Sequence, residues 1–395
     1  MTLWDEFASV ALGREVAGYF ERAPTRTEAS GFALAFDRAE ETLRLDRRSQ
    51  LSEVEQATDR FLAEPRTAVV GYLGFEAVGL FEPALVHAPS ESPFPIGELA
   101  FVRTARVARV PRAPLHRSSA RSPTGPLKDS LPARSYERAV RRLVSAIRAG
   151  EAFQVVLAHR REWPRPTDLL ERAARLRTSE RFAFFYYLKF GDREVVGASP
   201  ESVLEVRGDR AFVNPIAGTR PALGSRQNRL PLARDPKELA EHRMLVDLAR
   251  NDLGSVSRPG SVALAWEERR QRYARLEHLV SRVRGRLRPE VGPWTALAST
   301  FPAGTVSGAP KIRATELLRQ EERTWRGPYA GTVALLRPHR RADFALTIRS
   351  AFAAGERLYT AAGAGIVHRS APAREFQETL SKLEHVEATL VAERP

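Results

Sequence analysis

Apolar positions along the chain follow two periods. Runs that alternate every second residue, or stay apolar for five to eight residues between turn signals, predict strands at Gly31–Phe36, Ala68–Leu73, Leu99–Val110, Ala152–Ala158, Phe182–Phe190, Gly331–Leu336, Ala342–Phe352 and Leu358–Val367, with a hairpin over Val195–Val213. In Leu99–Val110 the apolar Phe101, Val102, Val107 and Val110 are separated by arginines, the mark of a half-exposed strand. Helical spacing predicts Ser135–Ala149, capped by Ser135 and stopped by Gly150, then Pro166–Arg175, Asp235–Gly254, Trp294–Thr300, Lys311–Arg323 and a closing helix. Gln271–Arg284 reads as mixed. Strands are interspersed with helices, and there is no internal repeat. The Pro-, Ser- and Arg-rich stretch Pro111–Leu131 is the clearest loop, and it divides residues 1–131 from a second region, 132–395.

The helix Asp235–Gly254 (DPKELAEHRMLVDLARNDLG) has an N-cap at Asp235, a proline at the first helical position and an acid at Glu238. At about 100° per residue, Arg243, Asp247 and Arg250 share one side, while Glu238 and Glu241 fall on the apolar side with Met244, Leu245 and Leu248. A buried carboxylate costs several kcal/mol unless a cation, a donor network or a shared proton compensates it. A hard divalent ion such as magnesium would serve, since it takes one or two carboxylates and an anionic substrate. The plainer alternative is that Glu238 only caps the helix and Glu241 pairs with an arginine.

Composition narrows the classes. The chain has 395 residues, is 43% apolar and 28% charged, and holds no apolar run of membrane-spanning length. Its first residues, MTLWDEFASV, lack the pattern of a secretory signal, so a cytoplasmic protein is expected. Cysteine is absent, which excludes disulfides, thiolate metal sites and a cysteine nucleophile within this sequence. The net charge is +14, and only five of the 62 basic residues are lysine. The arginines are scattered among acids, with no basic tail and no zinc or RNA-binding motif, which argues against nucleic acid as a partner.

Three further stretches carry candidate chemistry. Thr300–Lys311 (TFPAGTVSGAPK) sets Gly304, Thr305, Ser307 and Gly308 before a helix, a suitable cradle for a carboxylate or phosphate but not a Walker loop. Ala361–Ile366 (AAGAGI) ends a strand with Gly363, Ala364 and Gly365, which suits close approach of a flat ligand without matching a dinucleotide fingerprint. On the closing helix Glu375, Glu378 and Lys382 form a stripe distinct from Phe376, Leu380, Leu383 and Leu390. That stripe is either a solvated salt-bridge face or the second half of a magnesium site, with Lys382 placed for a substrate carboxylate.

Taken together, GEAFQVVL, ASPE, PIAGTRP, DPKELAEHRMLVDLARNDLG, FPAGTVSGAPK, RGPYAG, IRS and AGAGI resemble, in order and spacing, the chorismate-utilising enzymes, most closely the anthranilate synthase component I branch. The resemblance runs from about Ser135 to Ala392, with a weaker match in VVGYLGFEAVGLFE, Val69–Glu82. It implies a single large α+β unit of stacked antiparallel sheets wrapped by helices, a regulatory-type N-terminal region, and a site in a cleft of the C-terminal part. By matching position, Glu241 and Glu378 look like direct magnesium ligands, with Glu238 and Glu375 acting partly through water, and the metal holding the ring carboxylate of chorismate. Glu201 looks like the general acid for the departing 4-hydroxyl, and His278 is similar to the histidine linked to pyruvate elimination. Tyr329 and Arg349 would grip the enolpyruvyl carboxylate. Thr305, Gly218, Thr219 and the amides of Gly363, Ala364 and Gly365 would line the substrate, and Lys382 would add positive charge.

Two positions distinguish branches of the family. Water-using members carry a lysine where this chain has Gln154, and 4-amino-4-deoxychorismate-forming members usually carry a lysine where it has Ala217. Both favour attack of ammonia at C2 and release of pyruvate to give anthranilate; the alternative is an aminodeoxychorismate synthase that lost the motif lysine. Glutaminases of the usual partner type need a cysteine, so a separate glutamine amidotransferase subunit is implied as the ammonia source. Tryptophan-regulated members show LLES and NPSPYMFYL where this chain reads YFER, Tyr19–Arg22, and SERFAFFYYL, Ser179–Leu188. Arginine at position 22 predicts weak or absent tryptophan feedback, and Ala222–Ala233 replaces the usual acidic stretch after the PIAGTRP motif.

Overall fold

Along Phe184–Phe190 the side chains of Phe184, Tyr186, Leu188 and Phe190 enter one apolar cluster, and those of Phe185 and Tyr187 enter another. Apolar groups on both faces of a strand require packing on both sides of its sheet. The computed structural model describes residues 1–24, 31–85, 92–111, 125–179, 181–221, 236–273 and 276–391, with backbone alone for 217–221, 236–238, 241, 267–273 and 276–278.

Two ten-stranded sheets carry these residues. The first runs Gly308–Ala309, Gln154–Pro164, Arg357–Ile366, Ser350–Ala354, Arg193–Ser199, Phe184–Phe190, Val16–Arg22, Gly31–Phe36 and Arg106–Val110, with Lys128–Asp129 joined to Gln154–Pro164. The second runs Ile216–Pro221, Leu276–Arg286, Arg210–Val213, Ser202–Arg207, Arg341–Leu346, Thr332–Arg337, Ala68–Leu73, Gly97–Val102 and Glu41–Leu45, with Ala263–Tyr273 joined to Leu276–Arg286. Every strand pairing among the described residues is antiparallel. Strands from before Pro111 extend one end of each sheet.

Helices cover the outside. Leu3–Ala11, Leu169–Ser179 and Pro372–Leu390 bury Trp4, Phe7, Leu170, Leu176, Val386 and Leu390 against one face of the first sheet. Ala133–Arg148 and Lys311–Glu322 seal Val155, Leu157, Ala364 and Ile366. Leu51–Leu62 and Pro293–Thr300 meet where Trp294 Nε1 donates to Thr58 Oγ1 at 2.9 Å. Each large side chain so buried contributes roughly 1.5–3 kcal/mol relative to exposure. The result is the α+β arrangement of stacked antiparallel sheets and enclosing helices implied by the motifs.

Several expected elements prove to be two. Leu99–Val110 divides into Gly97–Val102, buried on both faces in the second sheet, and Arg106–Val110, alternating at the end of the first. Val195–Val213 is not a hairpin within one sheet, because Arg193–Ser199 lies in the first sheet while Ser202–Arg207 and Arg210–Val213 lie in the second. Ala342–Phe352 likewise divides into Arg341–Leu346 and Ser350–Ala354. A strand that changes sheet keeps apolar groups on both faces, so periodicity alone does not reveal the passage. The helix expected to be capped by Ser135 starts at Ala133 after an extended Pro132, and the Ser135 hydroxyl accepts from Arg138 instead.

Candidate active site

The passages at Ser199–Glu201 and Thr347–Arg349 lie side by side. Leu346 N–H donates to Glu201 O at 3.0 Å, and Ala198 N–H donates to Arg349 O at 3.2 Å. Glu201 is thereby fixed at the seam between the sheets, with its own N–H directed at Ser199 Oγ, 3.3 Å away. Its carboxyl is buried, and Thr305 Oγ1 donates to Glu201 Oε1 at 2.7 Å. Burial pushes the Glu201 carboxyl up to about 7, while the Thr305 hydrogen bond and the Lys382 charge oppose the rise. An acid poised near neutrality is suited to proton transfer.

Arg349 stands at the other passage with φ 53°, a left-handed conformation uncommon for a residue with a side chain. Its Nη1 donates to Lys382 O at 2.6 Å. Lys382 Nζ donates to Gly363 O at 2.8 Å and pairs with Glu378 at 2.8 Å. A Cβ on Gly363 would come within 3.2 Å of the Tyr329 hydroxyl, and one on Gly365 would come within 2.6 Å of Gln154 Nε2. Glycine at both positions therefore lets Tyr329 and Gln154 close on the strand Arg357–Ile366. Burial holds the Tyr329 phenol up at about 12, so it stays a neutral donor, and Arg326 and Arg349 oppose the rise. Ala364 turns its methyl into the cluster beneath Ala133–Arg148.

Glu201, Thr305, Tyr329, Arg349, Gly363 and Lys382 thus come together from six separate stretches of chain. Glu238 and Glu241 lie on the helix Pro236–Gly254, with their side chains outside those described, and so does His278 on Leu276–Arg286, opposite Gln271. The helix itself borders the site, since a Cβ on Gly304, beside Thr305, would run into Leu248. Gly218 and Thr219 fall where the pairing of Ile216–Pro221 with Leu276–Arg286 shifts register, and their side chains are outside those described. Glu378 is half exposed one turn before Lys382, and Glu375 is partly buried on the same helix. Among the described residues no three His, Cys, Asp or Glu side chains cluster as metal ligands. Carboxylate oxygens without sulfur or imidazole are the donor chemistry that suits magnesium.

Sequence reasoning passed over the layer beneath these groups. Arg326 is buried and donates to Val306 O at 2.7 Å, to Val156 O at 2.8 Å, and to both carboxylate oxygens of Glu322, at 2.8 and 2.6 Å. Glu322 Oε1 also accepts from Ala158 N–H at 2.9 Å. His159 is buried between Asp129 at 2.9 Å and Thr379 at 2.9 Å. Arg326 opens the RGPYAG motif, so the motif contained the signal, but no period or spacing assigns an arginine to carbonyls of two other segments.

Residues 17–388 match the family model of the chorismate binding enzymes. The anthranilate synthase component 1 of Streptomyces coelicolor is 38% identical over 366 residues, covering 80% of this chain and 71% of that protein. That of Saccharolobus solfataricus is 40% identical over 266 residues, covering 66% of this chain and 63% of that protein. The chain therefore spans only part of the length of these relatives. The crystal structure of anthranilate synthase component I from Streptococcus pneumoniae superposes with a TM-score of 0.78 at 28% identity, covering 90% of this chain and 92% of that one. The menaquinone-specific isochorismate synthase of Escherichia coli shares the fold, with a TM-score of 0.77 at 18% identity over 99% of this chain and 91% of that one. Among the described residues no helix is long and apolar enough to cross a membrane.

Proposed function

The chain belongs to the chorismate binding enzyme family, and from that membership we propose that it is the large subunit of a cytoplasmic anthranilate synthase, which aminates chorismate at C2 and eliminates pyruvate. The observation that carries this reading is the buried Glu201 carboxyl, held near pH 7 with Thr305 donating to it, beside Lys382, Tyr329 and Arg349. Ammonia forms the new bond at C2 as the 4-hydroxyl leaves, and Glu201 supplies the proton that lets it depart as water. His278 then serves the loss of the C2 proton and of the enolpyruvyl group as pyruvate, which makes the ring aromatic. Tyr329 and Arg349 hold the enolpyruvyl carboxylate, the arginine by a two-pronged contact. Thr305, Gly218, Thr219 and the Gly363–Gly365 backbone line the ring.

The ring carboxylate calls for a cation. Glu241 and Glu378 would hold magnesium directly, with Glu238 and Glu375 through water, and the ion would neutralise and orient that carboxylate. Lys382 adds a second positive charge on the same side. The absence of cysteine from the sequence supports a separate glutamine amidotransferase as the source of ammonia.

The test is mass spectrometry of the product formed from chorismate, magnesium and ammonium salts. Anthranilate and pyruvate are expected. Accumulation of 4-amino-4-deoxychorismate without pyruvate would overturn the reading.

A further inference from the structure

Glu76 lies far in sequence from every group assigned above, in the short turn that follows the strand Ala68–Leu73. One carboxylate oxygen accepts from Arg326 N–H at 2.7 Å and the other from Gly327 N–H at 3.0 Å. The clasp is reciprocal, because Phe75 N–H donates to Gly327 O at 2.8 Å and the Arg326 guanidinium lies 4.4 Å from the centre of the Phe75 ring. Two backbone amides sharing one carboxylate fix the start of the RGPYAG turn. What that turn then holds is the base of the site.

From the turn, the Arg326 side chain reaches three elements at once. It binds the carbonyl of Val306, the residue after Thr305; the carbonyl of Val156, which lies opposite Gly365 in the sheet; and Glu322, which also takes the Ala158 amide. Three residues further along, Tyr329 meets Gly363. A shift of the Arg326 backbone would therefore move Thr305 away from Glu201, and Tyr329 away from Gly363, together. Arg326 is held from both sides, since Glu322 fixes its side chain and Glu76 its main chain.

We propose that Glu76 is a positioning residue for the reaction: through the Arg326 and Gly327 amides it fixes the guanidinium that keeps the Thr305 hydroxyl on Glu201. This rests on the proposed function only in taking Glu201 and Thr305 as the reacting acid and its donor. It assigns to the N-terminal region a role in the chemical step. A carboxylate bridging two amides is replaceable in part by an amide side chain, which keeps one acceptor, and not at all by a methyl group.

The experiment compares Glu76→Gln, Glu76→Ala, Thr305→Val and the Glu76→Gln/Thr305→Val pair in steady-state kinetics with chorismate, magnesium and ammonium salts. The folded fraction of each protein is measured by thermal denaturation followed by circular dichroism. On whichever product the parent forms, Glu76→Gln is expected to lower kcat per folded molecule about tenfold and Glu76→Ala further, with KM for chorismate changed less than about threefold. The double variant should lose clearly less than the product of the two single losses, because both changes act on the Thr305–Glu201 contact. A kcat per folded molecule equal to the parent's, or losses that simply multiply in the double variant, would overturn the role assigned to Glu76. If Glu76→Ala does not fold, Glu76→Gln and the pair still decide. A parent that makes something other than anthranilate overturns the proposed function and leaves this comparison intact.

Discussion

Thr305 Oγ1 and Glu201 Oε1 lie 2.7 Å apart, and the hydroxyl donates. A donor stabilises the ionised carboxylate, so it restrains the rise that burial imposes on Glu201. As a proton donor Glu201 must be protonated, so kcat is expected to be level below about pH 7 and to fall tenfold per unit above it. Thr305→Val removes the restraint and should move that limb upward by about one pH unit. Glu201→Gln should lower kcat by roughly 10²–10⁴-fold across the range. A pH–rate profile of the three proteins checks all of this; a limb that stays in place in Thr305→Val excludes the contact as its determinant.

The same carboxyl links activity to stability. Its folded pKa of about 7 lies above the ordinary 4.5, so the native state loses stability as pH rises from about 4.5 through 7. Glu201→Gln, which has no charge to bury, should gain little at pH 5 and about 3 kcal/mol at pH 8. Urea unfolding of parent and variant at the two pH values measures the gap; an equal gap at both refutes it.

Magnesium should be required, and its requirement should depend on the closing helix. Chelation with EDTA is expected to abolish turnover, with restoration on adding the ion back. Glu378→Ala should raise the magnesium concentration for half-maximal rate at least tenfold, while Lys382, its 2.8 Å partner, remains in place. An unchanged magnesium dependence would remove Glu378 from the proposed ligand set.

Arg22 Nη1 lies 3.4 Å from Glu205 Oε2 and 3.7 Å from Asp343 Oδ1, and Arg207 also pairs with Asp343. Asp343 is held below the usual carboxylate range by these arginines against the effect of burial. Ionic side chains thus occupy the place where the tryptophan-regulated pattern carries a small serine. Calorimetric titration with tryptophan should give no saturable heat in the micromolar range, and anthranilate formation should continue in its presence.

Lys311 and Asp252 form a mostly buried pair at 3.0 Å, and Lys311 Nζ also donates to Ser299 O at 3.1 Å. Lys311→Met strands the Asp252 carboxylate and should cost about 3–5 kcal/mol. The Lys311→Met/Asp252→Leu pair should recover most of that. Denaturant midpoints of the two variants check it, and a double variant as unstable as the single one would refute it.

Local structure was largely legible in the sequence. Gly31–Phe36 and Ala68–Leu73 end where turn residues say they should, and Pro293–Thr300 and Lys311–Glu322 differ from expectation by one residue at an end. Sheet membership was not legible, because the polar residues around Glu201 and Arg349 read equally as an ordinary turn or a break within one sheet, and nothing local says that the chain passes to the other. At the site, Glu201, Thr305 and Lys382 carried chemistry that the motifs named. Glu76, Glu322 and Arg326 did not stand out, since their task is to bind backbone groups whose proximity arises only after folding.

The two sheet-to-sheet passages are tied to each other by backbone hydrogen bonds on either side of Glu201 and Arg349. If the layers slide or flex during turnover, the acid and the guanidinium ride on one shared hinge and travel as a unit. The glycine-rich loop and the closing helix are bonded to the same pair, through Thr305 on Glu201 and Lys382 O on Arg349, so a displacement of either passage is felt at both.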